Sequence, residues 1–442
     1  MTHIFHRNPA LTLPLAVRGE GCYLIDAAGQ RYFDGSGGAA VSCLGHKHAK
    51  VIAAMKRQME TLDYAHTSFF SSEPAEQLAS LLAGQSPATL GNVYFLSGGS
   101  EAMETALKMA RQYHVENGQP QRCHFVSRRQ SYHGNTLGAL AIGGNLPRRT
   151  LYEPLLMKTT QVSPCFAFRY RLADESDADY IERLGLELEH TFLDLGPESV
   201  AAFVAETVVG ATSGAVGPVP GYLARMREVC DRYGVLLILD EVMCGIGRTG
   251  SYHAFEQEGV VPDLLILAKG LGGGFQPIGA VMASDRVVHT ISRGSGSFQH
   301  GHTYVGHPIA CAAALAVQQE IIEQNLCATV RSSGELLGGL LNERFGKHSH
   351  VGDVRGRGLF WAIELVQDRD GNRPFAPGLR LHAKIKQAAQ AHGLLCYPGG
   401  GTVDGVTGDH VLLAPPYIST PEQLAFAVDT LAVALDETLA IQ

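Results

Sequence analysis

An α/β fold with a mostly parallel sheet is predicted for this 442-residue chain by three observations. Short, wholly apolar runs of strand length, Val200–Ala205, Val235–Leu239 and Leu264–Ala268, recur through its middle. A helical segment, Tyr222–Tyr233, lies between the first two and completes a strand–helix–strand unit, the alternation that favours parallel pairing. Glycine, at 51 residues, exceeds the usual ~7%, and part of it gathers beyond predicted strands, at Gly98-Gly99, Gly245 to Gly250 and Gly270 to Gly274.

The remaining elements follow in order. Gly19–Asp26 leads into Gly29–Asp34 with alternating apolar positions, a hairpin turning over Asp26 to Gly29. A helix is expected over Ala49–Leu62. Val93–Leu96 is a short strand ending in glycines. Ser100–Asn117 then reads as a helix, with Ala102, Ala106, Met109, Ala110 and Tyr113 on one face and Glu104 four residues before Lys108. Gly118 is its natural stop. From about Gln324 the character changes. Helices over Ala328–Phe345 and Leu379–His392 alternate with strands over Leu359–Val366 and His410–Leu413, a smaller α/β unit with a loop at Gly399–Gly408.

Composition excludes several classes of function. The 35 Lys and Arg against 43 Asp and Glu give a net charge of −8. No basic run exceeds the pairs Arg128-Arg129 and Arg148-Arg149, so nucleic acid is not an expected partner. No apolar stretch approaches the ~18 residues of a membrane helix. Met1–Val17 lacks the basic-then-apolar order of a signal peptide. Nine cysteines without a Cys-x-x-Cys pair point to reduced thiols and a cytoplasmic location. Only 18% of residues are charged, which suggests surface buried between subunits.

Three strand ends carry candidate chemistry. In Leu96-Ser97-Gly98-Gly99-Ser100-Glu101 a strand turns through two glycines into a helix. The turn is either an ordinary helix start capped by Ser100 or an anion site suited to a phosphate. Leu236–Leu239 ends in Asp240-Glu241-Val242, where a carboxylate meets a ligand cation or simply caps a helix. Asp263–Ala268 ends in Lys269, either a solvated charge or an amine made nucleophilic by its surroundings. Gly245-Ile246-Gly247-Arg248-Thr249-Gly250 matches dinucleotide-binding spacing but is not followed by a clean helix start. His46-x-His48 and His300-x-His302 lack a completing metal ligand and read as loop histidines.

Taken in order, these segments resemble the class III (omega-amino acid) aminotransferases of pyridoxal-phosphate fold type I. The resemblance runs over nearly the whole chain. It rests on Asp34-Gly35-Ser36-Gly37 with Gly45-His46, Ser97 to Ala102, Ser131-Tyr132-His133-Gly134-Asn135-Thr136, Asp240-Glu241-Val242 with Gly245 to Gly250, Ala268-Lys269-Gly270, and His302-Thr303-Tyr304 with Gly306-His307-Pro308. It implies pyridoxal 5'-phosphate as cofactor, with a Schiff base on Lys269 and Asp240 paired to the ring nitrogen. Gly99 and Ser100 would hold the phosphate, with Tyr132 and Val242 on the two ring faces. Thr303 would reach the phosphate of a neighbouring subunit, making the site a property of a homodimer or tetramer. Ala40, Phe69, Phe70 and Glu206 would border the substrate.

The implied reaction transfers an amino group from an amine or omega-amino acid to a keto acid such as pyruvate, in a ping-pong cycle. The implied domains are a large cofactor-binding domain over 61–323 and a small α/β domain built from 1–60 and 324–442. The segment Gly405–His410 lacks the arginine with which many relatives receive a substrate carboxylate, leaving Arg357 and Arg373 as candidates. Alternatives are an aminomutase or decarboxylase on the same scaffold, a nicotinamide-dependent dehydrogenase built on Gly245 to Gly250, and a silent cofactor-binding regulator.

Overall fold

The computed structural model describes residues 3–440. Strands β1 (Ala16–Glu20), β2 (Tyr23–Asp26) and β3 (Arg31–Phe33) form an antiparallel sheet near the N-terminus. The expected hairpin is its β2–β3 pair. Leu24 faces Tyr32, the Gly29 N–H closes the turn onto the Asp26 carbonyl at 3.0 Å, and the Asp26 carboxylate accepts from the Ala28 and Gln30 N–H groups, each at 2.9 Å. Gly19–Asp26, expected as one arm, is divided at Gly21-Cys22 into β1 and β2.

Next come α1 (Ala49–Thr61), α2 (Glu73–Gly84), β4 (Asn92–Leu96), α3 (Gly99–Glu116), β5 (His124–Arg128), β6 (Thr160–Val162), α4 (Asp177–Leu195), β7 (Val200–Glu206), α5 (Tyr222–Tyr233), β8 (Leu236–Asp240), β9 (Leu264–Leu267) and β10 (Gly279–Ala283). They are followed by α6 (Asp285–Arg293), α7 (Pro308–Glu323), α8 (Leu326–Phe345), β11 (Val351–Arg357), β12 (Phe360–Leu365), α9 (Leu381–Ala391), β13 (Tyr397–Gly400), β14 (Asp409–Leu413) and α10 (Pro421–Ala440).

The central sheet has seven strands in the order β4-β10-β9-β8-β7-β5-β6. From β9 to β6 every pairing is parallel. Strand β10 is antiparallel to both neighbours, so β4 runs with the parallel block and six strands deliver their C-terminal ends to one edge. At that edge β10 begins at Gly279, whose missing side chain lets the Gly98 carbonyl pass; a Cβ there would lie 2.6 Å from that oxygen. Beyond the N-terminal sheet, the expected strands correspond to β4, β7, β8, β9, β12 and β14; β5, β6, β10, β11 and β13 are additional, and β13 takes Gly399 and Gly400, expected as loop, by pairing them with His410 and Asp409.

Strands β7 to β10 are buried along their whole length. Their side chains alternate between two apolar layers. Phe203, Leu237, Leu239, Leu265 and Leu267 join one cluster, while Val204, Leu236, Ile238, Leu264 and Ile266 join another with Ala102, Met103 and Ala106 of α3. Burying each Leu, Ile or Phe contributes about 1.5–3 kcal/mol, so two-sided burial outweighs strand propensity in fixing this sheet.

A second, antiparallel sheet, β11-β12-β14-β13, lies near the C-terminus, with α8 against β11 and β12. The first sheet joins this part of the chain: the Phe33 N–H donates to the Gly393 carbonyl at 2.8 Å, and the Leu395 N–H to the Phe33 carbonyl at 2.9 Å. Along α8 the sheet comes so near that a Cβ on Gly334 would stand 2.2 Å from the Gly358 carbonyl oxygen, whereas a Cβ on Gly339 would meet nothing within 4 Å. Gly334→Ala is therefore expected to destabilise by about 1–3 kcal/mol through overpacking. Gly339→Ala is expected to stabilise by about 0.4–1 kcal/mol by restricting the unfolded chain. Urea unfolding of the two variants should shift in opposite directions.

Candidate active site

The ends of four strands converge on one cavity. β4 leads into Ser97–Ser100, β7 ends in Glu206, β8 ends in Asp240, and β9 leads into Ala268-Lys269; together they line a space of about 410 Å³. This is where an open α/β sheet places ligands, because loops leaving the carboxyl ends of the strands part there.

At one wall, α3 begins at Gly99 with Gly98 in the cap position. Ser100 is therefore not the cap that its place in the sequence suggested. Its hydroxyl accepts instead from the Asn135 N–H at 3.0 Å, and the Glu101 carboxylate accepts from the Ser97 N–H at 2.9 Å. The first-turn N–H groups of Gly99 and Ser100 have no acceptor within the helix, so the wall is an anion-attracting surface. Val242 packs against Gly99, where a Cβ would approach its Cγ1 to 3.1 Å.

Lys269 follows β9 after Ala268, in left-handed backbone (φ +49°). Its carbonyl accepts from Gly272 and Gly273 at 3.1 and 2.9 Å, which holds that conformation. Burial pulls its ammonium down to about 8, against the opposing pull of Asp240 and Glu206. Between pH 8 and the ordinary 10.5 the unfolded chain keeps a proton at this lysine that the folded chain has released. This group therefore makes the fold more stable as pH rises through that window.

Asp240 is buried and doubly held. Its Oδ1 accepts from the Val242 N–H at 3.0 Å, and its Oδ2 lies 2.9 Å from His133 Nδ1. The other ring nitrogen of His133 is buried without a hydrogen-bond partner. Glu206 accepts from the backbone N–H groups of Tyr132 at 3.0 Å and Gly210 at 2.9 Å, and burial raises its carboxyl above the usual range. Glu241, beside Asp240, points the other way. Thr207, Ala254 and Phe255 donate to it, and burial pushes it up to about 7.

Of the residues expected at the site, Gly99, Ser100, Tyr132, Glu206, Asp240, Val242 and Lys269 line the one cavity. Ala40 lies behind it, packed with Val208, Met243, Phe360 and Ala414, while its neighbour Val41 reaches the lining. Phe69 and Phe70 stand outside, 79% and 66% exposed. Thr303 is exposed too, its carbonyl accepting from the Tyr64 hydroxyl at 3.0 Å. Arg357 pairs with Glu258 at 2.7 Å and Arg373 with Asp368 at 2.5 Å, and neither lines the cavity. Gly245 to Gly250 opens no helix. It carries the buried Arg248, which donates to the carbonyls of Leu359 at 3.0 Å and Pro415 at 2.6 Å and covers the Tyr417 ring.

Sequence reasoning missed His133 as the partner of Asp240. Its adjacency to Tyr132 in the motif was the available signal, but the pairing spans 107 residues. It also missed Met243 and Phe275 to Ile278, which complete the lining.

Comparison with known proteins agrees with this geometry. The family described as Aminotransferase class-III matches residues 5–435. An uncharacterized aminotransferase of Schizosaccharomyces pombe is 47% identical over 99% of this chain and 96% of its own length. An (S)-enantioselective omega-transaminase from Thermomicrobium roseum superposes with a TM-score of 0.91 at 34% identity, covering 98% of this chain and 96% of that one. The omega-transaminase of Pseudomonas jessenii, solved in complex with PMP, superposes with a TM-score of 0.92 at 33% identity, covering 99% and 97%.

The cavity suits such a cofactor on its own chemistry. It sets unpaired helix N–H groups, a buried carboxylate and an amine of lowered pKa around one space, complements to a phosphate, a ring nitrogen and an aldehyde. On sequence, fold and the chemistry of this cavity together, the chain belongs to the class III aminotransferases, fold type I enzymes that use pyridoxal 5'-phosphate.

Proposed function

We propose that this aminotransferase takes nitrogen from an amine or omega-amino acid donor and passes it to a keto acid such as pyruvate, in two half-reactions of a ping-pong cycle. The observation that carries this reading is the amine of Lys269, lowered to about 8, sharing a cavity with the buried carboxylate of Asp240.

Bound pyridoxal 5'-phosphate supplies an electron sink conjugated to the substrate carbon that bears the nitrogen. Lys269 would hold its carbonyl carbon and, once freed, move the proton at the substrate Cα; an amine near pKa 8 is a usable base close to neutrality. Asp240 would keep the ring nitrogen protonated, and His133 on its Oδ2 orients that carboxylate. The Gly99 and Ser100 N–H groups would bind the phosphate. Tyr132, anchored through its N–H by Glu206, and Val242, against Gly99, would bracket the ring. Glu206, Ala40 behind Val41, and Phe69 and Phe70 would border the donor.

A homodimer, or a tetramer built from it, fits the exposure of Thr303, Phe69 and Phe70, which a second subunit would carry to its neighbour's cavity. Hydrogen bonds from Phe33 to the C-terminal segment support one small domain made from 1–60 and 324–442 around a large domain over 61–323. Nine free cysteines favour a reducing, cytoplasmic setting, and among the described residues no helix is long and apolar enough to cross a membrane.

The reading is tested by incubating holoenzyme with pyruvate and a panel of amines and amino acids, and measuring alanine. Alanine formation from amine or omega-amino acid donors supports it; none with any donor removes the pyruvate reaction. In cofactor-free protein, the rate at which added pyridoxal 5'-phosphate is captured is expected to rise with pH and level off above about 8, as Lys269 loses its proton. A flat profile between pH 6 and 10 would contradict the lowered pKa.

A further inference from the structure

We infer that Arg148 receives the distal carboxylate of the amino donor at the mouth of the Lys269 cavity. The inference rests on the reading of that cavity as the transamination site. Arg148 belongs to a single helical turn, Leu146–Arg149, and its guanidinium lies 4.6 Å from the centroid of the Tyr132 ring, which lines the cavity.

Two adjacent arginines on this turn behave differently. Arg149 is buried and spent: it donates to the carbonyls of Ala141 at 2.8 Å and Gly143 at 2.7 Å and pairs with Glu153 at 3.2 Å. Arg148 is exposed, and among the described residues no carboxylate or carbonyl meets its guanidinium. Its charge nevertheless reaches into the cavity, where it helps to lower the amine of Lys269.

The loop Gly401–Gly408 closes on the same turn. A Cβ on Gly405 would stand 3.3 Å from Leu146 Cβ, and the Tyr170 hydroxyl and the Gln130 amide hold the loop through its backbone carbonyls. This loop offers no cation of its own. Its carboxylate, Asp404, is used internally, accepting from the N–H groups of Val406 at 2.8 Å and Thr407 at 2.6 Å and from the Thr407 hydroxyl at 3.0 Å. Arg148 is thus left exposed beside the Tyr132 ring without an internal anion to neutralise it.

A planar guanidinium with free N–H groups matches a carboxylate by paired, charge-assisted hydrogen bonds. Arg148 stands over the Tyr132 ring and outside the residues that line the cavity, so an anion held there lies beyond that lining and not against the reacting carbon. That placement selects donors whose amine and carboxylate are on different carbons, the omega-amino acids, over alpha-amino acids.

The test compares holoenzyme turnover of 5-aminopentanoate with that of pentylamine, which lacks only the carboxylate, using pyruvate as acceptor. In Arg148→Gln the ratio of kcat/KM values, 5-aminopentanoate over pentylamine, is expected to fall roughly 10- to 100-fold, the range for losing a hydrogen-bonded charge partner. Most of the change should lie in KM, and Arg148→Lys should recover part of it. Pentanoate, which carries no amine, is expected to bind the wild-type holoenzyme, read by its perturbation of cofactor absorbance, and to bind Arg148→Gln roughly tenfold more weakly or worse. An unchanged ratio or unchanged pentanoate affinity in Arg148→Gln overturns the inference while leaving the reaction standing. A wild-type enzyme that turns over neither donor removes the reading of the site, and the inference with it.

Discussion

Lys269→Ala is expected to lower turnover of every amine donor by at least about 10²–10⁴-fold, the contribution of a positioned proton-transferring side chain. Borohydride treatment of the wild-type holoenzyme should fix the cofactor covalently to the protein, and the variant should retain none. Folding should survive, because the fold lowers this ammonium to about 8 and so disfavours its charged form at neutral pH. The cofactor-free variant should melt no lower than cofactor-free wild type at pH 7. A variant that turns over amines at the wild-type rate would exclude Lys269 as the reactive amine.

Asp240→Asn should cost nearly as much. The substitution keeps an oxygen for the Val242 N–H, 3.0 Å from Oδ1 in the wild type, but removes the negative charge. Two opposite charges about 4 Å apart attract by roughly 4 kcal/mol at an effective dielectric of 20. If that attraction holds the ring nitrogen protonated, kcat should fall by about 10³-fold. His133→Ala, which removes the 2.9 Å contact to Oδ2 and keeps the charge, should cost far less. Stopped-flow measurement of the first half-reaction with a single donor would resolve both losses; equal losses would mean that the orientation of Asp240 matters as much as its charge.

Strands β8 and β9 were legible because both of their faces are buried, which leaves unbroken apolar runs ending abruptly in Asp240 and Lys269. The same clarity fixed the polar residues beyond them. Strand β5 was not legible, because His124, Ser127 and Arg128 interrupt its apolar pattern. Their needs are met at long range: the Arg128 guanidinium donates to the Glu206 carbonyl at 2.5 Å and His124 meets Thr160 at 2.9 Å. Strand β10 hides for another reason, since Gly279, Ala280 and Ala283 carry little hydrophobic signal and serve by being small. Ser100 was misjudged because capping was inferred locally, while the hydroxyl is taken by Asn135, 35 residues away. The pairing of His133 with Asp240 is likewise a product of the sheet's crossovers, which no local spacing encodes.

The antiparallel strand β10 turns the sheet into a ruler. It lies between β4, which leads into the Gly99 turn, and β9, which delivers Lys269, with the Asp240 strand one place further on. Neighbouring strands are about 4.8 Å apart, so the backbones that carry the anion turn and the lysine are separated by a whole number of ladder steps. Such an interval changes only when a strand is added or lost, and no point substitution can stretch it by a fraction of a step. Selection for new donors must therefore leave this gauge untouched and act on the loops that rim it, where residues such as Arg148 can be exchanged one at a time.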